Sequence, residues 1–396
     1  MKNPFKKPII AIVAILILLG SAAFPPAPAR AATLTVTKTA DTNDGVCDSD
    51  CSLREAIATA SASDTITFDS SLSGGVIYLQ STLSISTNLT IDGSALASQV
   101  TLSGDSDNNG TGNVRVFFVN ANVTLNSLIV TKGSSTFAGG IYHSFAKTLN
   151  ILNSTVSNNA ATAGGGGGIK NDGTLNITDS TFSGNSSTST GGGIYNEAGT
   201  VTVYGSTFSA NSATNGGGIY NANSTLTVTN STFSANTATT NGGGIYNIGG
   251  GHILTVRNST FSANSATTGG GIYYGGSTTF NYSNTLIANS SSGGDCAGAG
   301  SIGTNTNNLV EDASCSASLS GDPNLDALAD NGGSTRTFAL LTGSTAIDAG
   351  DNIVCAASPV NNLDQRGVTR PQGTQCDIGS YEIQKIYYIY LAVISK

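Results

Sequence analysis

Charge is scarce in this sequence. Asp, Glu, Lys and Arg make up 10% of 396 residues, against roughly 25% in an ordinary globular domain. The net charge is −8, and after Lys2, Lys6 and Lys7 there is no basic run. Duplex binding needs clustered Lys and Arg, so nucleic acid is excluded as a partner. Long apolar runs are missing too. Ile9–Gly20 has 12 residues and Ile386–Ile394 has nine, short of the roughly 20 that span a bilayer as a helix. No CxxC pair occurs, and neither His143 nor His252 lies near a Cys, which removes the usual Cys/His metal patterns. Trp is absent.

Gly (50 residues), Ser, Thr and Asn are abundant, and they recur in phrases. Gly191-Gly192-Gly193-Ile194-Tyr195-Asn196 returns at 216–221 and 242–247, with variants at 139–142, 167–170 and 269–274. Its isoleucine steps through 141, 169, 194, 219, 245 and 272, at intervals of 28, 25, 25, 26 and 27. A second phrase, STFSAN, recurs around Phe182, Phe208, Phe233 and Phe261, with Val156 and Leu286 as outer copies. Such a period signals a repeat architecture. The copies hold too much Gly, Ser, Thr and Asn for helices, and their apolar residues alternate, as in Leu226 and Val228. Alternation is the pattern of a strand with one buried face. Three short strands with Gly/Asn turns every 25 or so residues describe one coil of an all-β parallel β-helix, an architecture that resembles the pectin-lyase-like solenoids. Coils stack because none buries its apolar face alone.

In each coil Phe should point inward and the flanking Thr and Ser outward. Asn185, Asn211, Asn236 and Asn264 fall at the strand ends, placed to bond turn amides and each other. The Gly triplets suit positive φ or close packing at another corner.

Residues 1–31 read as an export signal: a basic start, a short apolar run and the small-x-small site Ala29-Arg30-Ala31. An uncleaved anchor is the alternative, and either is the expected membrane link. Six cysteines in an exported chain suggest disulfides, and proximity favours Cys47–Cys51, Cys296–Cys315 and Cys355–Cys376. Residues 32–62 form a separate cap. Ser52 and Glu55 make a capping box, and Leu53, Ala56, Ile57 and Ala60 share one helical face, suited to covering the first coil of a β-helix over 63–320.

The string from Asp44 to Ala56, DGVCDSDCSLREA, resembles the CSLREA domain, which implies a secreted bacterial surface protein. The paired GGI and FxxN phrases over about 139–290 resemble the repeats of polymorphic outer membrane proteins, with Gly where that family has Ala. This resemblance implies a β-helical surface protein and a right-handed coil. Five motifs between Gly321 and Glu382 (GDPNL, LADNGG, AIDAGD, DQRG and CDIGSYE) resemble the choice-of-anchor domain of the Q type, expected over 321–384. Residues 385–396 remain as an apolar tail, a terminal strand or a sorting tag.

Candidate chemistry is sparse. Between Asn150 and Ser290 the acids are Asp172, Asp179 and Glu197, and the bases Lys170 and Arg257. Asp172 and Glu197 follow GGI phrases one coil apart and could be neighbours. Asp348, Asp351, Asp364, Arg366 and Asp377 suit a salt-bridged cap network. Asp105, Asp107 and Asn109 begin a calcium-loop pattern, but Val116 stands where the twelfth-position Glu belongs; an Asx-rich turn is the simpler reading, and no cofactor is expected. Tyr142, Tyr195, Tyr220, Tyr246 and Tyr273 should form an outward stripe, able either to dock sugars or partner side chains or to stack on itself. Thr181/Ser183, Thr207/Ser209, Thr232/Ser234 and Thr260/Ser262 would form a flat array like an ice-binding face. The expected function is a non-enzymatic, monomeric, structural or adhesive protein, secreted or at the cell surface and facing an envelope or extracellular glycan or protein. A polysaccharide lyase or hydrolase is the alternative, and an ice-binding solenoid a remote one.

Overall fold

A computed structural model describes residues 31–384. The export signal expected over 1–31, apart from residue 31 itself, and the tail 385–396 lie outside the described residues. The chain forms a parallel β-solenoid whose strands make three long sheets of 11, 10 and 9 strands and a narrow one of five. One coil shows the order. Thr200–Tyr204 lies in the first sheet, Thr207–Ser209 in the second, Ser212–Asn215 in the narrow one and Ile219–Ala222 in the third. Leu226–Thr229 then returns to the first sheet, paired in parallel with Thr200–Tyr204.

Repeat residues stack in register. Phe182, Phe208, Phe233 and Phe261 are fully buried, with ring centroids 4.6–4.7 Å apart. That equals the spacing between neighbouring strands. Val156 pairs with Phe182 and extends the column at one end. At the other end Ile287, not Leu286, pairs with Phe261. A register slip of one residue exchanges the two faces of a strand, so Leu286 points outward.

The first sheet begins earlier than the boundary expected at 63: Thr33–Val36 already pairs in parallel with Asp64–Phe68. The helix Leu53–Thr59 packs its Leu53 and Ala56 into the core. Its capping box is complete: the Glu55 amide donates to Ser52 Oγ (3.1 Å) and the Ser52 amide to Glu55 Oε2 (2.6 Å). Disulfides join Cys47–Cys51, Cys296–Cys315 and Cys355–Cys376. Among the described residues, no helix is long and apolar enough to cross a membrane.

After Leu319 the chain folds back along the side of the solenoid. An antiparallel pair, Leu325–Ala329 with Thr337–Leu340, and a short helix, Asn352–Ala356, lie here. Leu340, Ala346 and Ile378 from this segment form a second apolar cluster with Leu286, Ala288 and Leu309 of the solenoid.

Candidate functional site

The outward positions of the third sheet form one column. Phe118, Tyr142, Lys170, Tyr195, Tyr220, Tyr246 and Tyr273 are paired successively across seven strands. Their alternation with inward Ile141, Ile169, Ile194, Ile219, Ile245 and Ile272 sets this orientation. The rings stack on one another: centroids are 5.5 Å apart for Phe118–Tyr142, 5.3 Å for Tyr195–Tyr220, and 5.1 Å for both Tyr220–Tyr246 and Tyr246–Tyr273. Lys170 fills the one gap, its ammonium 5.2 Å from the Tyr142 centroid and 5.5 Å from that of Tyr195. Of the two readings of the stripe, docking or self-stacking, the rings adopt the second. Coil spacing brings neighbouring rings into contact, so the faces cover one another, and Tyr246 is only 9% exposed. Ring edges and hydroxyls remain.

Lys170 is also the centre of a charge cluster. Its ammonium lies 2.8 Å from Asp172 Oδ1 and 3.4 Å from Glu197 Oε2. The Tyr142 hydroxyl donates to Asp172 Oδ2 (2.8 Å). Asp172 and Glu197 are thus brought together as anticipated, with a cation between them. Burial alone would lower the Lys170 pKa, but its bonds and attraction to Asp172 outweigh this and raise it. Burial, then the bond to Asp172, raises the Tyr142 pKa, and burial with the nearby Glu197 charge raises that of Tyr195. Lys170 is thus held protonated, and Tyr142 and Tyr195 neutral, near neutrality. Arg115 completes one end, 5.5 Å from the Tyr142 centroid and bonded to the Phe137 and Ala138 carbonyls.

The second sheet does not present the expected flat Thr-x-Ser array. Thr207, Thr232 and Thr260 are buried beneath the folded-back segment. Thr207 donates to the Arg336 carbonyl (2.6 Å), Thr232 to Gln365 Oε1 (2.7 Å), and Thr260 Oγ1 accepts from the Ser380 amide (2.9 Å). These hydroxyls are spent on the protein itself, which removes the structural basis for ice binding. Corner residues take part: Asn230 donates to the Leu363 carbonyl and Asn284 to that of Asp351.

Within that segment Arg366 and Asp364 form a buried ion pair at 2.7 Å, Asp351 caps Asn352–Ala356, and Asp377 accepts from the Asp348 amide. Burial raises the pKa of Asp377 and pushes that of Glu382 up to about 7.

The calcium candidates close on themselves. Asp105 accepts from the Asn109 and Gly110 amides (3.0 and 2.9 Å), and the Lys132 ammonium sits 3.2 Å away, where a cation would have to be. Asp107 Oδ2 accepts from Asn109 Nδ2. This is an Asx-rich turn. Among the described residues, no three His, Cys, Asp or Glu side chains converge as metal ligands. His252 lies at the widened start of Gly250–Arg257, where the register shifts.

Sequence reasoning missed Phe118, Arg115 and Phe145. Phe118 and Lys170 were legible as outward positions one strand along from a Tyr. Phe145, 72% exposed, lies in a connection outside the repeat, where periodicity says nothing.

The Chlamydia polymorphic membrane protein repeat matches residues 179–197 and 230–248. Each match runs from a corner residue through STFSxN to the residue after GGGIYN, the unit that builds the Phe and Tyr columns. No curated protein matches the chain significantly. Among solved structures, the crystal structure of pectate lyase Pel9A aligns over 89% of this chain and 96% of that chain, with a TM-score of 0.45 and 13% identity. That likeness carries no argument about the site.

Proposed function

We propose that this protein is an exported, non-enzymatic surface scaffold whose third sheet presents a binding face to an envelope or extracellular glycan or protein. The observation that carries this reading is the outward column from Phe118 to Tyr273. It is a long ordered surface that the folded-back segment leaves uncovered, and its Tyr hydroxyls repeat at the coil spacing. The matched repeat is named for a membrane protein family, and three disulfides suit an oxidising compartment outside the cytosol. The resemblances to the CSLREA and choice-of-anchor domains support the same location.

The test replaces Tyr195, Tyr220 and Tyr246 together by Phe. This keeps the stack and removes three hydroxyls. Binding to a panel of immobilised glycans and envelope proteins should weaken at least tenfold with melting unchanged. Equal binding by the variant and the parent would overturn the assignment of this face.

A second reading, polysaccharide cleavage, is favoured by one observation: two carboxylates flank the Lys170 ammonium. A lyase needs a base that is free to take a proton, and here Lys170 is held protonated by its partners. Release of unsaturated products from polygalacturonate, abolished by Lys170→Met, would establish this reading in place of adhesion.

A further inference from the structure

Beside the Lys170 cluster lies a hollow of about 150 Å³, lined by Phe145, Asp172, Gly173, Thr174, Ala198 and Thr200 among others. We propose that it is a carbohydrate subsite taking one uncharged pyranose ring of a glycan chain. The inference deepens the adhesive reading and rests on it.

Four observations converge. The first is Phe145, an aromatic ring left 72% exposed. It sits on the connection 144–147 between Ile141–His143 and Thr148–Leu152, which is longer than the two-residue connection 172–173 of the next coil. Ala146 holds a positive φ of 56° in this turn, a conformation that non-glycine residues adopt uncommonly. An exposed ring face without an aromatic partner is what the Tyr column lacks.

The second is a floor that cannot carry side chains. A Cβ on Gly173 would fall 2.5 Å from the Lys147 carbonyl oxygen, and one on Gly199 would fall 2.0 Å from that of Gly173. At these two positions the lining is bare backbone, which leaves room for a sugar ring.

The third is the polar rim. Asp172 supplies a fixed carboxylate, oriented by Tyr142 and Lys170, and the exposed Thr174 and Thr200 add hydroxyls to the lining. An aromatic wall with a few placed polar groups is the usual make-up of a small-molecule site. The volume is below the several hundred Å³ of drug-sized pockets, so the hollow fits a single ring with its neighbours running out along the open surface.

The fourth is charge. Asp172 is the charged side chain on the hollow's own lining, while its partner Lys170 lies behind it, shared with Glu197, so a ligand in the hollow meets a carboxylate first. A uronate carboxylate would be repelled, and an uncharged sugar would not. The predicted preference is thus for neutral chains over polyuronates.

The full chain is tested against immobilised dextran and galactomannan, with polygalacturonate as the acidic comparator. Phe145→Ala removes the wall, and Ala198→Gln fills the hollow from an exposed position. Each should weaken binding to the neutral polysaccharide at least tenfold with the melting temperature unchanged. Three outcomes overturn the proposal: neutral-glycan binding unaltered in both variants, polygalacturonate bound more tightly than the neutral chains, or no neutral chain bound at all. If protein partners still bind through the Tyr hydroxyls in these cases, the adhesive reading stands while the sugar subsite falls.

Discussion

At the residue scale, buried asparagines tie each coil to the next. Asn159, Asn185, Asn211, Asn236 and Asn264 are fully buried. Each donates to a main-chain carbonyl, and the side-chain oxygen of every member after Asn159 accepts from the preceding asparagine's amide and Nδ2. A second ladder runs from His143 through Asn171, Asn196 and Asn221 to Asn247. Its first member breaks the pattern. His143 Nδ1 bonds Asn171 Oδ1 at 2.6 Å, and its Nε2 is buried without a partner. Burial lowers the pKa of this imidazole, so the folded state favours the neutral ring. The unfolded chain takes up the proton first, near pH 6.5. The solenoid's stability should therefore decline as pH falls below about 6.5 until the folded pKa is reached. His143→Asn should abolish this decline. At pH 8 the relieved orphan nitrogen, about 1 kcal/mol, and the smaller side chain's cavity, also about 1 kcal/mol, nearly cancel. Denaturant titrations of both proteins at pH 5 and pH 8 check this. A parallel decline in the variant would exclude His143 as the cause.

At the element scale, the Gly triplet is the corner that brings each coil into the third sheet. The first Gly takes positive φ, as at Gly216 (65°). The second leaves no room for any side chain: a Cβ on Gly217 would lie 2.5 Å from the Gly243 carbonyl oxygen and 2.6 Å from that of Thr237. Both obstacles are backbone of the next coil, so no side chain can turn aside. Gly217→Ala should cost about 3 kcal/mol or more, although Ala is otherwise the easier residue to order. Melting of the variant beside Ala222→Gly, which carries no such clash, measures it, and an unchanged Gly217→Ala would show that the coils can separate. This corner was legible in the sequence because Gly is diagnostic where others fail. The inward Phe and Ile columns were legible for a similar reason: period and alternation leave one arrangement. The outer faces were not. Alternation put Tyr220 outside but left open whether its ring would dock a partner or rest, as it does, on Tyr195 and Tyr246. It put Thr232 outside too, and the residues that cover it, Gln365 and Ser380, come from 133 and 148 positions away. The slip from Leu286 to Ile287 arose where the phrase loses its Phe, and with it the marker of register.

At the scale of the whole molecule, two bodies with opposite pH behaviour share one interface. The solenoid carries His143, whose folded-state preference for neutrality makes it weaker in acid. The folded-back segment carries Glu382, raised by burial to about 7 from an ordinary 4.5. A raised carboxyl favours the protonated folded form, so its contribution is complete below pH 4.5 and is lost as pH rises to about 7. The loss is on the order of 3 kcal/mol. Hydrogen exchange over 321–384 should therefore quicken between pH 5 and pH 7 after correction for intrinsic rates, while the Phe208 and Phe233 amides stay protected. Uniform behaviour of the two bodies would contradict this. The disulfide Cys355–Cys376 is the covalent restraint on that segment; it closes a loop of 21 residues and is worth about 3 kcal/mol. Asn258 and Asn284 of the solenoid donate to Cys355 Sγ, so the bridge lies in the interface itself. Replacing both cysteines by Ser should release the segment first. Protease cleavage should concentrate between residues 321 and 384, and the Thr207, Thr232 and Thr260 hydroxyls should open to water, while the coils beneath remain folded on their Asn and Phe columns. If cleavage instead spread through the solenoid, the segment would be a structural requirement of the coils and not a cover laid on them.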